Sequence, residues 1–454
     1  MLDVAFDRFA KKSPVCVIAR GLMERVLNPE QIDQWFEQAA EQQYTRELLF
    51  STLFDMMSDV VCGARKSVHS SYQASKEDIR VSIASVYNKL NGVEVKTSAA
   101  LVRYAAGEMK EIIEKLGAKP SLLPGFKVKI LDGNCIEATE HRIFELRSMA
   151  AGALPGKSLV VLDPCLRMPI DVFPCEDGHA QERSLLRDVL ETVKSLDLWI
   201  ADRNFCTRDF LLGIEQLEAF YAIREHKGLS WNPLTKEEFV GGVGTGKVFE
   251  QYILITDDSG NEHKIRRIHL RLKHPTRDKE TDIYIISNLS KRAANAKVIA
   301  ELYRDRWKIE KVFQELEAHL NSEINTLGYP PAALFAFCIA LIVYMILAGM
   351  KASMANVHGI DTIDNKISGY YLADELSATY RGMMIAIPDE TWIVFRQYSI
   401  LELIKVLKQL AANVRLSAFL KHPRGPKKNP PKRVTDPSHP HVSTARIIAK
   451  RNRK

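Results

Sequence analysis

Two short apolar runs in this chain each lead directly into an aspartate. Leu198–Ala201 precedes Asp202, and the alternating segment Phe126–Leu131 precedes Asp132. Apolar runs of this length are typical of β-strands with at least one buried face. In α/β proteins, active-site groups commonly lie where such strands end. The pattern therefore predicts an α/β fold with two carboxylates at one edge of its sheet.

A segment with helical spacing carries a third carboxylate. Tyr303, Arg306 and Glu310 stand at relative positions 0, +3 and +7, so on a helix of about 100° per residue they fall within roughly 60° of one another. Together with Asp132 and Asp202, Glu310 supplies three hard oxygen ligands suited to divalent metal and phosphate chemistry. An arginine fork and a tyrosine hydroxyl suit phosphate oxygens. The alternative for each acid is a turn cap or an ordinary ion pair, such as Arg306 with Glu310.

The first 120 residues have helical apolar spacing and are predicted to form an α-helical N-terminal domain. Its expected role as a DNA-binding domain depends on the candidate recognition helix described next. Within this domain, Ser75–Asp78 matches a capping box at a helix start. The next predicted helix, Val81–Leu90, turns polar side chains outward and ends near Gly92. It is a candidate DNA recognition helix, with an ordinary surface helix as the alternative.

Beyond residue 120 the pattern changes to short strands and helices. We expect a first core segment at 121–224, a β-rich insertion at 225–290, a second core segment at 291–350 and a helical region at 351–420. The insertion contains the hairpin signal Asp257–Asn261 between two strand-like runs. Acids at strand ends and one on a later helix are compatible with an α/β core that this insertion interrupts.

One long segment lacks charge altogether. Ala332–Met350 has 19 residues without a charged side chain, which is close to the length of a membrane span. It contains many small residues, follows the charged helix of Glu310 and has no strongly basic flank. We therefore predict a buried core helix and no membrane contact, with a membrane-spanning helix as the alternative.

Positive charge is concentrated at the C-terminus. The whole chain has a net charge of +7, whereas residues 421–454 contain 11 Lys and Arg residues and one acid, Asp436. A concentrated basic tail indicates an anionic polymer as partner, usually nucleic acid. The six prolines of this segment disfavour packed structure, so we predict a disordered basic tail. A solvated tail without a specific partner is the alternative.

Two other patterns argue against a nucleotide site and against a zinc site or disulfide framework. Gly241–Lys247 has the spacing of a phosphate-binding loop, but Val248 stands where such a loop needs Ser or Thr, and a strand is predicted to follow. We expect no nucleotide there. The seven cysteines form no Cys-x-x-Cys pair, which argues against a zinc site or a disulfide framework and fits a reducing cytoplasm.

The chain resembles the insertion-sequence DDE transposases of the IS-four family over most of its length. The resemblance is strongest in Leu131–Asn134, in Ala201–Phe205 and in the spacing Tyr303-x-x-Arg306-x-x-x-Glu310. That last spacing matches the family's Tyr-Arg-Glu-Lys signature up to its glutamate. The resemblance implies an RNase H-like core interrupted by a β-rich insertion before the glutamate.

The resemblance also implies an activity. Asp132, Asp202 and Glu310 would be the catalytic residues and would bind two Mg²⁺ ions, with Mn²⁺ as a substitute, while Tyr303 and Arg306 would bind phosphate at the transposon end. The expected reaction is cut-and-paste transposition by Mg²⁺-dependent cleavage and strand transfer at terminal inverted repeats. The expected partners are double-stranded transposon ends, target DNA and a second copy of the chain, in the cytoplasm with the nucleoid.

The chain departs from the family signature at one position. The signature lysine should stand seven residues after Glu310, where this chain has Glu317. The charge there is reversed on the same helix face. Two alternatives to transposition therefore stay open: an RNase H-like nuclease that hydrolyses DNA without transferring strands, and a catalytically inactive copy that only binds DNA.

Overall fold

A computed structural model describes residues 4–42, 47–137, 139–149, 151–276, 279–422 and 441–453. In these ranges the α-helices are α1 (Asp7–Lys12), α2 (Pro14–Val26), α3 (Pro29–Ala39), α4 (Phe50–Val61), α5 (Val68–Ala74), α6 (Ile83–Asn91), α7 (Val95–Gly117), α8 (Leu186–Leu190), α9 (Arg208–Gln216), α10 (Ala296–Arg304), α11 (Trp307–His319), α12 (Pro330–His358), α13 (Ile360–Lys366), α14 (Gly369–Ala386), α15 (Asp389–Trp392), α16 (Val394–Gln397), α17 (Ile400–Ala412) and α18 (Thr444–Arg451).

The strands of the same ranges are β1 (Lys127–Cys135), β2 (Ala153–Leu154), β3 (Lys157–Asp163), β4 (Met168–Cys175), β5 (Asp197–Ala201), β6 (Phe220–Arg224), β7 (Asn232–Pro233), β8 (Glu238–Val243), β9 (Gly246–Thr256), β10 (Glu262–Leu272), β11 (Asp282–Ser287) and β12 (Val442–Ser443). Helices therefore occupy most of the N-terminal 117 residues, strands dominate the middle, and helices return after β11. This is the mixed α/β composition that the sequence predicted.

One large sheet organises the middle of the chain. Its strand order is β4-β3-β1-β5-β6-β11-β10-β9-β7, and β8 pairs with β9. The strands β4, β3 and β1 are antiparallel neighbours, whereas β1, β5 and β6 run parallel to one another. The parallel pairs need crossover connections, and the β5–β6 connection contains α9.

The β-rich segment that we predicted at 225–290 continues this same sheet. Strand β11 pairs antiparallel with β6, with Ile286 opposite Ile223, and β10, β9 and β7 follow outward. The predicted hairpin at Asp257–Asn261 connects β9 and β10. The glycine-rich Gly241–Lys247 lies in the β8–β9 hairpin, where a Cβ on Gly246 would stand 2.1 Å from the Arg271 carbonyl oxygen of β10. Strand pairing therefore accounts for that glycine without a nucleotide.

The uncharged segment forms the centre of the helical part. Helix α12 is long and apolar enough to cross a membrane by length and composition, and its most apolar 18-residue window is completely buried. It packs against α7, α17, α4 and α2. Such enclosure on all sides is the position of a core helix, which the sequence analysis favoured over a membrane span.

The helix start predicted at Ser75–Asp78 was wrong. Ser75 ends α5, because its backbone N–H donates to the Ser71 and Tyr72 carbonyl oxygens. Helix α6 begins later, at Ile83, and the Ser82 hydroxyl accepts the N–H of Ser85 at 3.2 Å as its cap. Of the two serine-containing turns in this region, the one that begins at Ser82 caps α6.

The prediction of an unpacked tail was also wrong for residues 441–453. Strand β12 pairs parallel with β2, and Ile447 and Ile448 of α18 pack on the small apolar cluster of Ile143 and Leu146. These apolar side chains lie beyond the prolines, which all fall between 423 and 440. Residues 423–440 are outside the described residues, so the prediction stands untested there.

Close packing of α2 on α16 gives a stability test. A Cβ on Gly21 would lie 2.3 Å from the Phe395 ring, which is fully buried against Phe6 and Trp392. Gly21→Ala should therefore lower the free energy of unfolding by about 1–3 kcal/mol, although alanine is the better helix former. Gly107→Ala, on α7 with no atom within 4 Å, should raise it by about 0.5–1 kcal/mol. Urea unfolding would measure both, and equal effects would contradict the packing described.

Candidate functional site

Strand pairing places the two predicted aspartates side by side. Leu131 of β1 lies opposite Ala201 of β5 in the parallel register, so Asp132 and Asp202 are the next residues of neighbouring strands. Strand β5 ends there, as predicted. Strand β1 does not, because its pairing with β3 continues to Cys135. Asp132 is therefore an internal residue of β1 that lies just beyond the end of its parallel neighbour.

The predicted single helix through Tyr303 and Glu310 is interrupted. Helix α10 ends at Arg304 and α11 begins at Trp307. Around Asp305 and Arg306 the backbone keeps helical dihedrals, but the hydrogen bonds tighten to the i→i+3 pattern, with the Arg306 N–H donating to the Tyr303 carbonyl at 3.1 Å. The two helices stay nearly continuous, so the three signature side chains still reach one place.

The structure brings all five predicted site residues together. The Arg306 guanidinium donates from Nη1 to Asp132 Oδ2 at 2.9 Å and from Nη2 to Glu310 Oε1 at 2.8 Å. The Tyr303 hydroxyl donates to Asp202 Oδ1 at 3.2 Å. The ordinary Arg306–Glu310 ion pair that we considered from the sequence does form, but Arg306 is only 7% exposed and holds a second carboxylate.

Burial, and then the charges of neighbouring groups, shifts the pKa values of the residues at this site. Burial raises the pKa of Asp132 to about 7; Arg306 and the Gly133 N–H oppose the rise, and the Asp202 and Glu310 carboxylates add to it. Burial, followed by the charge of Asp202, raises the pKa of Tyr303. Burial disfavours the charged guanidinium of Arg306, but Tyr303 and the three carboxylates raise its pKa above the ordinary value.

Sequence reasoning assigned no site role to three residues on the Asp202 side. Arg224, the last residue of β6, has Nη1 4.0 Å from Asp202 Oδ1. Its Nη2 donates to Glu280 Oε2 at 2.6 Å, and Arg203 Nη1 donates to Glu280 Oε1 at 3.0 Å. Arg224 ends an apolar strand just as Asp202 follows one, so its position was a usable signal. Glu280 comes from the β-rich segment, and no local pattern marks it.

The Glu310 side of the site is acidic. A cavity of about 230 Å³ opens beside Glu310 and is lined by Asn134, Glu317 and Glu323 among others. Burial raises the pKa of Glu323, and the carboxylates of Glu137 and Glu317 add to this shift. No Lys or Arg is among the described residues that line the cavity. Glu317, which stands where the resemblance predicts a lysine, therefore lies in an acidic surrounding.

The donor set suits a hard divalent ion in kind, because three carboxylates converge on one place. Within the described ranges, however, no three His, Cys, Asp or Glu side chains stand close enough to share one ion. Arg306 lies between Asp132 and Glu310 and supplies the positive charge that their proximity requires. Holding one ion would therefore require Arg306 to leave at least one of these carboxylates and the carboxylates themselves to move closer together.

Comparison with known proteins gives a domain assignment. Residues 124–346, just under half of the chain, match the family model described as a transposase DDE domain. All five predicted site residues lie within that range. The match supports a DDE transposase, and such a domain implies nuclease and transesterification activity on DNA in general.

Other comparisons are weaker. No curated protein sequence matches the chain. One similar solved structure is the cryo-EM structure of the piggyBac transposase synaptic complex with hairpin DNA, which is 9% identical, with 86% of each chain covered and a TM-score of 0.39.

The shifted pKa of Asp132 predicts a pH-dependent stability. The pKa of Asp132 is about 7 in the folded protein, above the ordinary pKa of 3.8, so folding favours the protonated carboxyl. Its contribution to the free energy of unfolding is fully present below pH 3.8 and is lost as the pH rises from there through 7. Asp132→Asn cannot ionise. With EDTA present, its unfolding free energy relative to wild type should therefore rise by on the order of 1–2 kcal/mol from about pH 5 to about pH 8.

Urea unfolding across this pH range measures the effect. Asp188→Asn makes the same chemical change on an exposed residue of α8, and its difference from wild type should stay constant. A constant difference for Asp132→Asn as well would show that Asp132 does not titrate as described.

Proposed function

We propose that this chain is an insertion-sequence transposase of the IS-four type that moves its element by cut-and-paste transposition. The observation that carries the proposal is the meeting of Asp132, Asp202 and Glu310 through the hydrogen bonds of Arg306 and Tyr303. These residues come from three separate elements, β1, the end of β5 and the α10–α11 segment. A turn cap or an isolated surface ion pair would not need this convergence.

We further infer an RNase H-like core. The order β4-β3-β1-β5-β6, with three antiparallel strands followed by two parallel ones, supports this inference. So does the location of Asp132 on β1 and of Asp202 directly after the neighbouring strand β5. The proposed core would thus continue into the β-rich segment through the β6–β11 pairing.

Asp132, Asp202 and Glu310 would hold the divalent cations, two Mg²⁺ ions or Mn²⁺ in their place. Bound there, the ions would supply the positive charge that activates an attacking hydroxyl and stabilises the departing oxygen. Arg306 presents a planar fork of donors that suits two phosphate oxygens, and the Tyr303 hydroxyl can donate to a third. Both side chains now use those donors on carboxylates, so phosphate and carboxylate would compete for them.

The proposed reaction has two stages. In the first, water attacks a phosphodiester at the transposon end, the P–O3′ bond breaks, and a 3′-hydroxyl and a 5′-phosphate result. In the second, that 3′-hydroxyl attacks the opposite strand and frees the element with hairpin ends, water then opens each hairpin and regenerates the 3′-hydroxyl, and this hydroxyl attacks a phosphodiester in target DNA. Each attack forms one P–O bond and expels one hydroxyl. No cofactor besides the cations is needed for this balance.

The proposed partners are double-stranded DNA at the inverted repeats and in the target, and a second copy of the chain, in the nucleoid. Among the described residues near the C-terminus, α18 and its flank carry Arg446, Lys450, Arg451 and Arg453. Cations of this kind contribute non-specific phosphate contacts. The specific observation that favours an inactive copy instead is Glu317, which reverses the charge of the family signature.

Loss of a site carboxylate tests the proposed reaction. Asp202→Asn and Glu310→Gln should each lower Mg²⁺-dependent cleavage and strand transfer by at least about a hundredfold, because each removes one charged oxygen from the cation site. The substrate is labelled DNA that carries the repeats flanking the gene. Asp188→Asn and Glu301→Gln, the same changes on exposed residues of α8 and α10, should leave both activities unchanged.

Three outcomes would contradict the proposal in different ways. Wild-type cleavage without any strand transfer would indicate the nuclease. Specific binding to the repeat ends without cleavage by wild type would indicate the inactive copy. Full activity of Asp202→Asn would remove the carboxylates from the mechanism altogether.

Restoring the signature lysine tests the effect of Glu317. Glu317→Lys replaces a repulsive charge with an attractive one beside Glu310, so binding of repeat-end DNA should strengthen by at least about tenfold. Glu301→Lys makes the same charge change on an exposed position of α10. Titration of labelled DNA measures both variants. An equal gain for both would show a non-specific effect of net charge.

A further inference from the structure

The pairing of β1 with β5 stops one residue short of the candidate site. Leu131 opposite Ala201 is the last pair of the parallel register, whereas β1 continues beside β3. Directly after Asp202 the chain forms the short 3₁₀ helix Arg203–Phe205. Hydrogen bonds of the sheet therefore hold Asp132 in place, but they do not fix the position of Asp202 relative to it.

The two faces of the sheet contribute differently here. Arg306 and Tyr303 hold the site from one face. The other face is covered by the 3₁₀ helix Glu182–Leu185, which directly precedes α8: its last residue shares an apolar cluster with Leu131, whereas Tyr303 belongs to a different cluster. Because successive residues of a strand point to opposite faces, Gly133 lies on the same face as Leu131. A contact to Gly133 would therefore hold the site from the second face.

The carboxyl group of Glu182 makes that contact. A Cβ at Gly133 would stand 2.2 Å from Glu182 Oε1, and the three atoms nearest to such a Cβ all belong to the Glu182 carboxyl group. The Oε2 atom of the same group accepts a hydrogen bond from Asn204 Nδ2. Gly133 directly follows Asp132, and Asn204 stands two residues after Asp202. One side chain thus contacts both segments that carry the aspartates.

The residue after Glu182 strengthens this connection. Arg183 Nε donates to the Asn204 carbonyl oxygen at 2.7 Å, so the side chain and the backbone of Asn204 are both held. Phe205 is only 1% exposed and belongs to the same apolar cluster as Leu185. The segment after Asp202 is therefore anchored by two hydrogen bonds and by apolar packing.

We propose that Glu182 is a positioning residue of the candidate site, which fixes Asp202 relative to Asp132 through its contacts with Asn204 and Gly133. It acts through the position of the two aspartates and not through contact with substrate. A misplacement of about 1 Å at a reacting centre can lower a rate about a hundredfold. The inference rests on the proposed function, because it assigns Glu182 a role in the same reaction.

Two substitutions at Glu182 test this role. Glu182→Ala removes both contacts, whereas Glu182→Gln keeps an oxygen that can accept from Asn204. With saturating repeat-end DNA and Mg²⁺ in a single turnover, Glu182→Ala should cleave at least about tenfold more slowly than wild type, and Glu182→Gln should recover most of the rate. The Kd for DNA should be the same in both variants, because both remove the same charge. Glu191→Ala, the same change on an exposed residue that follows α8, should leave the rate unchanged.

Gly133→Ala tests the contact from the other side. Its methyl group should displace the Glu182 carboxyl group and slow cleavage about as much as Glu182→Ala does. Because both changes remove one contact, the double variant should be no slower than either single variant. The free energies of unfolding in urea should be non-additive in the same way. Gly107→Ala, which has no atom within 4 Å of the added Cβ, should leave the cleavage rate unchanged.

The outcomes separate this inference from the proposed function. A wild-type rate in Glu182→Ala, together with no cleavage by Asp202→Asn, would overturn the role of Glu182 alone. Equal losses in Glu182→Gln and Glu182→Ala would mean that the charge acts directly, and would overturn the positioning role as well. If Glu182→Ala does not fold, a wild-type rate in Gly133→Ala has the same meaning as one in Glu182→Ala. If wild type does not cleave, the proposed function fails, and additive unfolding free energies in the double variant would overturn the Glu182 contact independently.

Discussion

The two hydrogen bonds of the Arg306 guanidinium hold the candidate site together. They connect Asp132 on β1 with Glu310 on α11, and Arg306 itself is buried. Removing one member of such a buried ionic group typically costs about 3–5 kcal/mol, because the remaining charges are left unpaired. The same carboxylates are the proposed cation ligands. The positive charge of Arg306 therefore balances the carboxylates when no metal is bound. Under the proposed function, bound cations would balance the carboxylates instead, and the guanidinium would then be available to bind phosphate.

Continuity of the sheet explains how the β-rich segment contributes to this site. Because β11 pairs with β6, Glu280 just before β11 reaches Arg224 at the end of β6 and Arg203 beside Asp202. The segment was predicted from its strand pattern as an insertion between the second aspartate and the glutamate. Its pairing partner could not be predicted, since register between strands sixty residues apart depends on the whole sheet. The Arg203–Glu280–Arg224 group is the consequence, and only the structure reveals it.

Local patterns predicted which side chains meet better than they predicted the helices and strands that carry them. Asp132 and Asp202 follow apolar runs, and Tyr303, Arg306 and Glu310 share a helical spacing, so all five residues could be named from the chain alone. The errors arose where contacts between residues far apart in the sequence determine where an element begins or ends. Pairing with β3 extends β1 past Asp132, and tightening of the backbone divides α10 from α11. At the C-terminus, the average composition indicated disorder. Val442, Ile447 and Ile448 nevertheless pack against apolar residues of the segment 143–154, and composition alone cannot reveal such a contact.

The two flanks of the candidate site differ in charge, and this difference bears on how DNA would approach. On the Asp202 side, Arg203 and Arg224 share Glu280, whose pKa is lowered by the Arg224 hydrogen bond and further by the charges of both arginines. On the Glu310 side, Glu317 and Glu323 line an acidic cavity. A DNA phosphate would be repelled from the second flank and could replace Glu280 as the partner of the two arginines on the first. Under the proposed function, the DNA strand that enters the site would therefore extend over the side of Arg203 and Arg224. Glu317, in place of the signature lysine, would weaken DNA contacts on the opposite side.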